Sequence, residues 1–80
     1  MRYTVFLEPL KEAGFEGFYY AHIPTLGLTT HGQGVEGALS AARDLATVWV
    51  AERISHGEPA PRESHTLIGE VELTDAVHGA

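Results

Sequence analysis

The chain has 80 residues, of which 44% are hydrophobic, 9% aromatic and 20% charged; this is globular composition for one small domain, leaving room neither for a second domain nor for wholesale disorder. It contains no cysteine, which excludes disulfides, thiolate zinc sites, iron–sulfur clusters and cysteine nucleophiles. Eleven Asp and Glu against five Lys and Arg give a net charge of −6, which opposes duplex binding by this chain alone and suits a basic partner.

Residues 2–8 alternate, with Tyr3, Val5 and Leu7 on one face and Thr4, Phe6 and Glu8 on the other. That period predicts a strand. Pro9 ends it, since proline has no amide hydrogen for a ladder. Residues 9–14 carry Pro9, Gly14 and two charges and predict a hairpin loop, with Gly14 at positive φ. The aromatic stretch 15–22 predicts a second strand. Residues 23–27 then predict an extended connector, and 28–31 a short third strand rich in β-branched Thr. Short links make these three an antiparallel meander, which Gly32-Gln33-Gly34 should break.

From Val35 to about Ser55 the period changes. There is no proline, and Val35, Ala38, Leu39, Ala42, Ala46 and Trp49 recur at helical spacing, with Leu45, Val48 and Val50 widening the stripe. His56-Gly57 stops the helix and Pro59 bars its continuation. An irregular linker over 57–65 leads to imperfect alternation over 66–73, which predicts a fourth strand. The expected domain is therefore 1–73, with a frayed tail over 74–80 and no separate DNA-binding domain. The order β-β-β-α-β predicts a two-layer α+β sandwich with one long helix on a meander plus a fourth strand. If Tyr3, Val5, Leu7, Phe15 and Tyr19 face the helix, then Phe6, Phe18 and Tyr20 point to the uncovered face. Apolar surface is left over for a partner, most simply a second copy as a homodimer or homotetramer. No apolar run is long enough to span a bilayer, and the alternating N-terminus is not a signal peptide, so a cytoplasmic location without membrane contact is expected.

The residues suggest no catalytic centre. His22, His31, His56, His65 and His78 include no pair at a ligand spacing on the helix, so no metal or other cofactor is expected. Ser40, Ser55 and Ser64 lack a nucleophile elbow. Gly27 and the Gly32–Gly34 cluster precede a helix but lack the Gly-Lys-Ser/Thr of a phosphate loop. A two-metal nuclease needs three or four acidic groups from different elements, and only Glu8, Asp44, Glu70 and Glu72 are available. The strongest interface candidates are the aromatics Phe6, Phe18, Tyr20 and Trp49, because aromatic side chains anchor binding; Trp49 on the helix stripe also suits the core.

Several stretches in sequence resemble HicB-like antitoxin domains. They are Tyr3-Thr4-Val5 with Leu7-Glu8-Pro9, the aromatic strand after Gly14 leading to Ile23-Pro24-Thr25-Leu26, Gly32 with the helix opening Val35-Glu36-Gly37-Ala38-Leu39, and the exit Gly57-Glu58-Pro59-Ala60-Pro61. Together they cover roughly residues 2–61. The resemblance implies a β-β-β-α-β unit of reduced ribonuclease-H-like fold. It also implies an antitoxin that masks a small basic HicA-type toxin, an mRNA-cleaving ribonuclease, through protein–protein contact, and so not an enzyme. Two positions depart from the family pattern: Gly27-Leu28 follows Leu26 where the family often has Pro-Gly, and Gln33-Gly34 stands where Asp-Thr is usual. The residues after Pro61 are too few for the helix-turn-helix that many members carry, so direct promoter binding is not expected. The alternatives are an orphan HicB-like oligomeric module without a toxin, and a metal-dependent nucleic-acid hydrolase using Asp44, Glu70 and Glu72.

Overall fold

A computed structural model describes residues 1–74. Its elements are strand β1 (Phe6–Pro9), strand β2 (Phe18–Ile23), a 3-10 turn (Pro24–Leu26), strand β3 (Leu28–Gln33) and helix α1 (Gly34–Ser55). The sheet order is β1-β2-β3 and both pairings are antiparallel, so the meander and the α+β class are as expected. In the β1–β2 pair Phe6 faces His22 and Pro9 faces Tyr19; in the β2–β3 pair Phe18 faces Gln33 and Ile23 faces Leu28.

The strand boundaries differ from the expectation for local reasons. β1 begins at Phe6 rather than residue 2, because its partner runs out: β2 ends at Ile23 and the next residue is proline, at the start of the 3-10 turn. The expected extended connector over 23–27 is instead the last residue of β2 followed by a turn over 24–27. Pro9 closes β1 from inside the strand, opposite Tyr19. β2 begins at Phe18 rather than residue 15, because Phe15 and Gly17 belong to the turn and the Phe18 amide donates to the Phe15 carbonyl at 3.0 Å. Gly14 has φ +91°, as expected. Phe15 does not face the helix; it is 41% exposed.

β3 continues through Gly32 and Gln33, so the meander breaks at Gly34 and not before. Gly32 serves close approach rather than chain reversal. A Cβ there would lie 2.5 Å from the Gly37 carbonyl carbon and 2.6 Å from the Ala38 amide nitrogen. The first turn of α1 therefore packs backbone to backbone on the end of β3.

α1 has Glu36 in its first turn and Arg53 in its last, each favourable to the helix dipole. It ends as expected at Gly57, which has φ +76°. The Gly57 amide donates to Ile54 O at 3.0 Å and the Glu58 amide to Arg53 O at 2.9 Å. These are the paired bonds of a Schellman cap, which needs a left-handed residue at that position.

The core lies between α1 and the sheet. Ala21, Ile23, Leu26, Ala38 and Ala42 are buried, with Tyr3, Val5, Leu7, Tyr19, Leu28, Ala46, Trp49 and Val50 packed around them. The inward faces expected for Tyr3, Val5, Leu7 and Tyr19 are observed. The helix stripe is narrower than its sequence pattern: Leu39 is 40% and Val48 67% exposed. α1 sits over β2 and β3, and one of its flanks faces the N-terminal segment rather than the sheet.

The expected fourth strand is not formed. Residues 66–73 have no strand structure, and Leu67, Ile68, Val71 and Leu73 are all exposed. The alternation supplies a strand-compatible face, but neither edge of the sheet meets this segment, and Gly69 interrupts it. The tail expected at 74–80 falls, from residue 75 onward, outside the described residues, as does His78. Among the described residues, no helix is long and apolar enough to cross a membrane.

Candidate interaction surface

Period-2 alternation turns the odd-numbered residues of β2, Tyr19, Ala21 and Ile23, toward α1 and the even-numbered ones away from it. The register then assembles the outer face in rows. Phe6, His22 and Thr29 form one row, Glu8, Tyr20 and His31 the next, and Phe18 with Gln33 the third. Among the described residues, no element packs on this face.

Side-chain bonds order the rows. His22 Nε2 lies 3.0 Å from Glu8 Oε1, and His22 Nδ1 lies 3.0 Å from Thr29 Oγ1. A neutral ring protonated at Nε2 satisfies both, donating to Glu8 and accepting from the Thr29 hydroxyl. The Tyr20 hydroxyl donates to Glu12 Oε1 at 3.3 Å. The Glu12 carboxylate beside it pushes the Tyr20 hydroxyl above the usual tyrosine range, because a phenolate there would face a negative neighbour; desolvation, the hydrogen bond and Glu8 act in the same direction. Tyr20 therefore remains a neutral donor at physiological pH. Rings stack across and along the strands: Phe15 meets Phe18 edge-on at 5.5 Å between centroids, Phe18 lies 6.4 Å from His31, and Tyr20 lies 5.8 Å from His22. The surface is an aromatic and histidine platform rimmed by Glu8 and Glu12.

Of the four aromatics singled out in the sequence, Phe6, Phe18 and Tyr20 share this face. Trp49 does not join them. It sits on α1, packed against the core, with the Arg53 guanidinium carbon 5.0 Å from its ring centroid. Arg53 also pairs with Glu58 at 3.0 Å, so the Trp49–Arg53 stack ties the helix end to the chain that follows it. Phe15, His22 and His31 are the members of the platform that the sequence reading did not assign to it. The parity of β2 marks His22, but nothing in the local pattern shows that Phe15 belongs to the turn and folds onto Phe18.

On the opposite side, between α1 and the segment that precedes β1, lies an open apolar groove of ≈ 630 Å³ lined by Tyr3, Val5, Leu39, Arg43, Val50 and Ile54 among others. The chain after the helix is clasped next to it. Glu63 accepts from the Thr4 amide at 2.6 Å, from the Thr4 hydroxyl at 2.5 Å and from the Thr25 hydroxyl at 3.0 Å. The Tyr3 hydroxyl donates to Pro61 O at 2.6 Å. The Thr4 bonds hold the Glu63 carboxyl below the usual glutamate range, against the opposing effect of desolvation.

Among the described residues, no three of His, Asp and Glu converge to hold a metal ion. Asp44 is exposed on α1, while Glu70 and Glu72 are exposed beyond the last element. No family model, curated protein or solved structure matches the chain.

Proposed function

We propose that this chain is a HicB-like antitoxin domain that self-associates and masks a small basic HicA-type toxin by protein–protein contact. The observation that carries the reading is the uncovered sheet face, where Phe18 and Tyr20 sit within an acidic rim on a chain of net charge −6. Long-range attraction between unlike charges speeds encounter, and desolvated aromatics slow escape. The β-β-β-α arrangement agrees with the part of the fold that the family resemblance covers. Self-association is supported by the small core, in which Ile23 is the largest fully buried side chain. Among the described residues, no carboxylate cluster favours the hydrolase alternative.

The test is to co-express this chain with each small basic protein that its neighbouring reading frames encode. Co-purification of a stable complex, together with rescue of the toxin's growth arrest, is the expected result. Failure of every neighbouring basic protein to bind would contradict the antitoxin reading and favour the orphan module.

A further inference from the structure

We infer that residues 66–73 of one copy dock as a strand in the apolar groove of a second copy, so that two chains exchange arms. This rests on the self-association in the preceding reading, but not on the toxin. The arm has the pattern of a half-buried strand. Leu67, Val71 and Leu73 share one face with Gly69, while Thr66, Glu70 and Glu72 share the other with Ile68. In a single copy that apolar face has nothing to cover it: Leu67 is 81% and Val71 91% exposed.

The groove is the complementary feature. One flank of α1 lines it against Tyr3 and Val5 of the N-terminal segment, leaving Leu39 and Ile54 at 40% and 55% exposure over a space that no strand of the same copy fills. Arg43 is the charged residue of the groove, and Arg2 and Arg62 line the adjoining cleft beside Glu63, whose carboxylate is taken up by Thr4 and Thr25. The arm brings Glu70 and Glu72. A strand laid between α1 and the N-terminal segment would cover both apolar surfaces.

The occupant is a second copy because the arm leads away from its own body. Glu63 is held by Thr4 and Thr25, and every residue from 64 to 74 is exposed. The chain extends 52 Å along its longest axis, with a radius of gyration of 16.2 Å; a compact domain of this length has about 12 Å. Only Ser64 and His65 separate the clasp from the arm. A two-residue reversal calls for Asn, Asp or Gly at positive φ, so this link continues outward rather than folding back.

The chain lacks cysteine, so engineered thiols report without background. Val71→Cys and Ile54→Cys proteins are mixed in equal amounts, oxidised mildly and analysed by mass. The expected product is a covalent heterodimer in excess over either homodimer. Light scattering should give a dimer mass for the unmodified chain and half that mass for Leu67→Asp/Val71→Asp, with the helical circular-dichroism signal unchanged. Two results would overturn the exchange while leaving self-association standing: a dimer that survives Leu67→Asp/Val71→Asp intact, or a mixture without the heterodimer. A Val71→Cys/Ile54→Cys chain that closes as a disulfide monomer would show the arm in its own groove and refute exchange. A monomeric unmodified chain at 100-micromolar scale would overturn both.

Discussion

Glu63 shows how one side chain can do the work of a missing strand. The Thr4 amide lies beyond the reach of β2, which stops at Ile23, and a carboxylate oxygen satisfies it instead. The Thr25 hydroxyl joins the same carboxylate, so one group links the N-terminal segment, the 3-10 turn and the chain after the helix. Because the folded pKa is depressed, the ionised clasp stabilises the fold fully above the free glutamate value of about 4.3 and is lost as pH falls through the folded value. Glu63→Gln should therefore lower the urea midpoint at pH 7, and the gap from the unmodified chain should shrink as the pH falls below about 4. Unfolding curves from pH 7 to pH 3 check this; a constant gap would show that the charge is immaterial. Nothing in the sequence singled out Glu63, since its partners lie 59 and 38 positions away.

The elements differ in how openly the sequence declares them. α1 was legible almost to the residue, because a proline-free run at helical spacing closed by His56-Gly57-Glu58-Pro59 carries its own start and stop signals. Strand parity was legible where the partner could be inferred, as for Tyr3, Val5 and Leu7. Boundaries that depend on a partner were not: residues 2–5 and 66–73 have strand patterns but no ladder. Gly32 looked like a breaker because close backbone approach and chain reversal ask for the same residue. Its role predicts that Gly32→Ala forces helix and strand apart and costs about 1–3 kcal/mol, the range for overpacking. Gly57→Ala should cost about 1–2 kcal/mol for a left-handed residue with a Cβ, and fray only the helix end. Chemical denaturation, with hydrogen exchange to locate the loss, separates the two effects. Equal stability of Gly32→Ala and the unmodified chain would contradict the close packing.

At the scale of the whole molecule, the core is thin for its sheet and the apolar surface is displaced outward, to the platform on one side and to the groove and arm on the other. With five buried residues among those described, the fold gains from a partner that removes more apolar area from water. Its thermal midpoint should accordingly rise as protein concentration is raised from the micromolar to the 100-micromolar scale, since association stabilises the folded state by mass action. Calorimetry over that range checks this, and an invariant midpoint would speak for a self-sufficient monomer. The outer platform was partly legible in the sequence, because Phe18 and Tyr20 share the parity opposite Tyr19. Its histidines and Phe15 emerge only once register and turn are known.

On the proposed function, the aromatic sheet face, within its acidic rim, holds a basic protein partner. The most direct measurement is the association and dissociation kinetics of this chain with a small basic protein from a neighbouring reading frame across a salt series, repeated with Phe18→Ala, Tyr20→Ala and the double variant. Association should slow as salt rises, because charge steering is screened over about 8 Å at physiological ionic strength, while dissociation changes little. Each substitution should speed dissociation and cost about 1–3 kcal/mol of affinity. Association rates that ignore salt, or full affinity in the double variant, would place the partner on another surface and contradict the account.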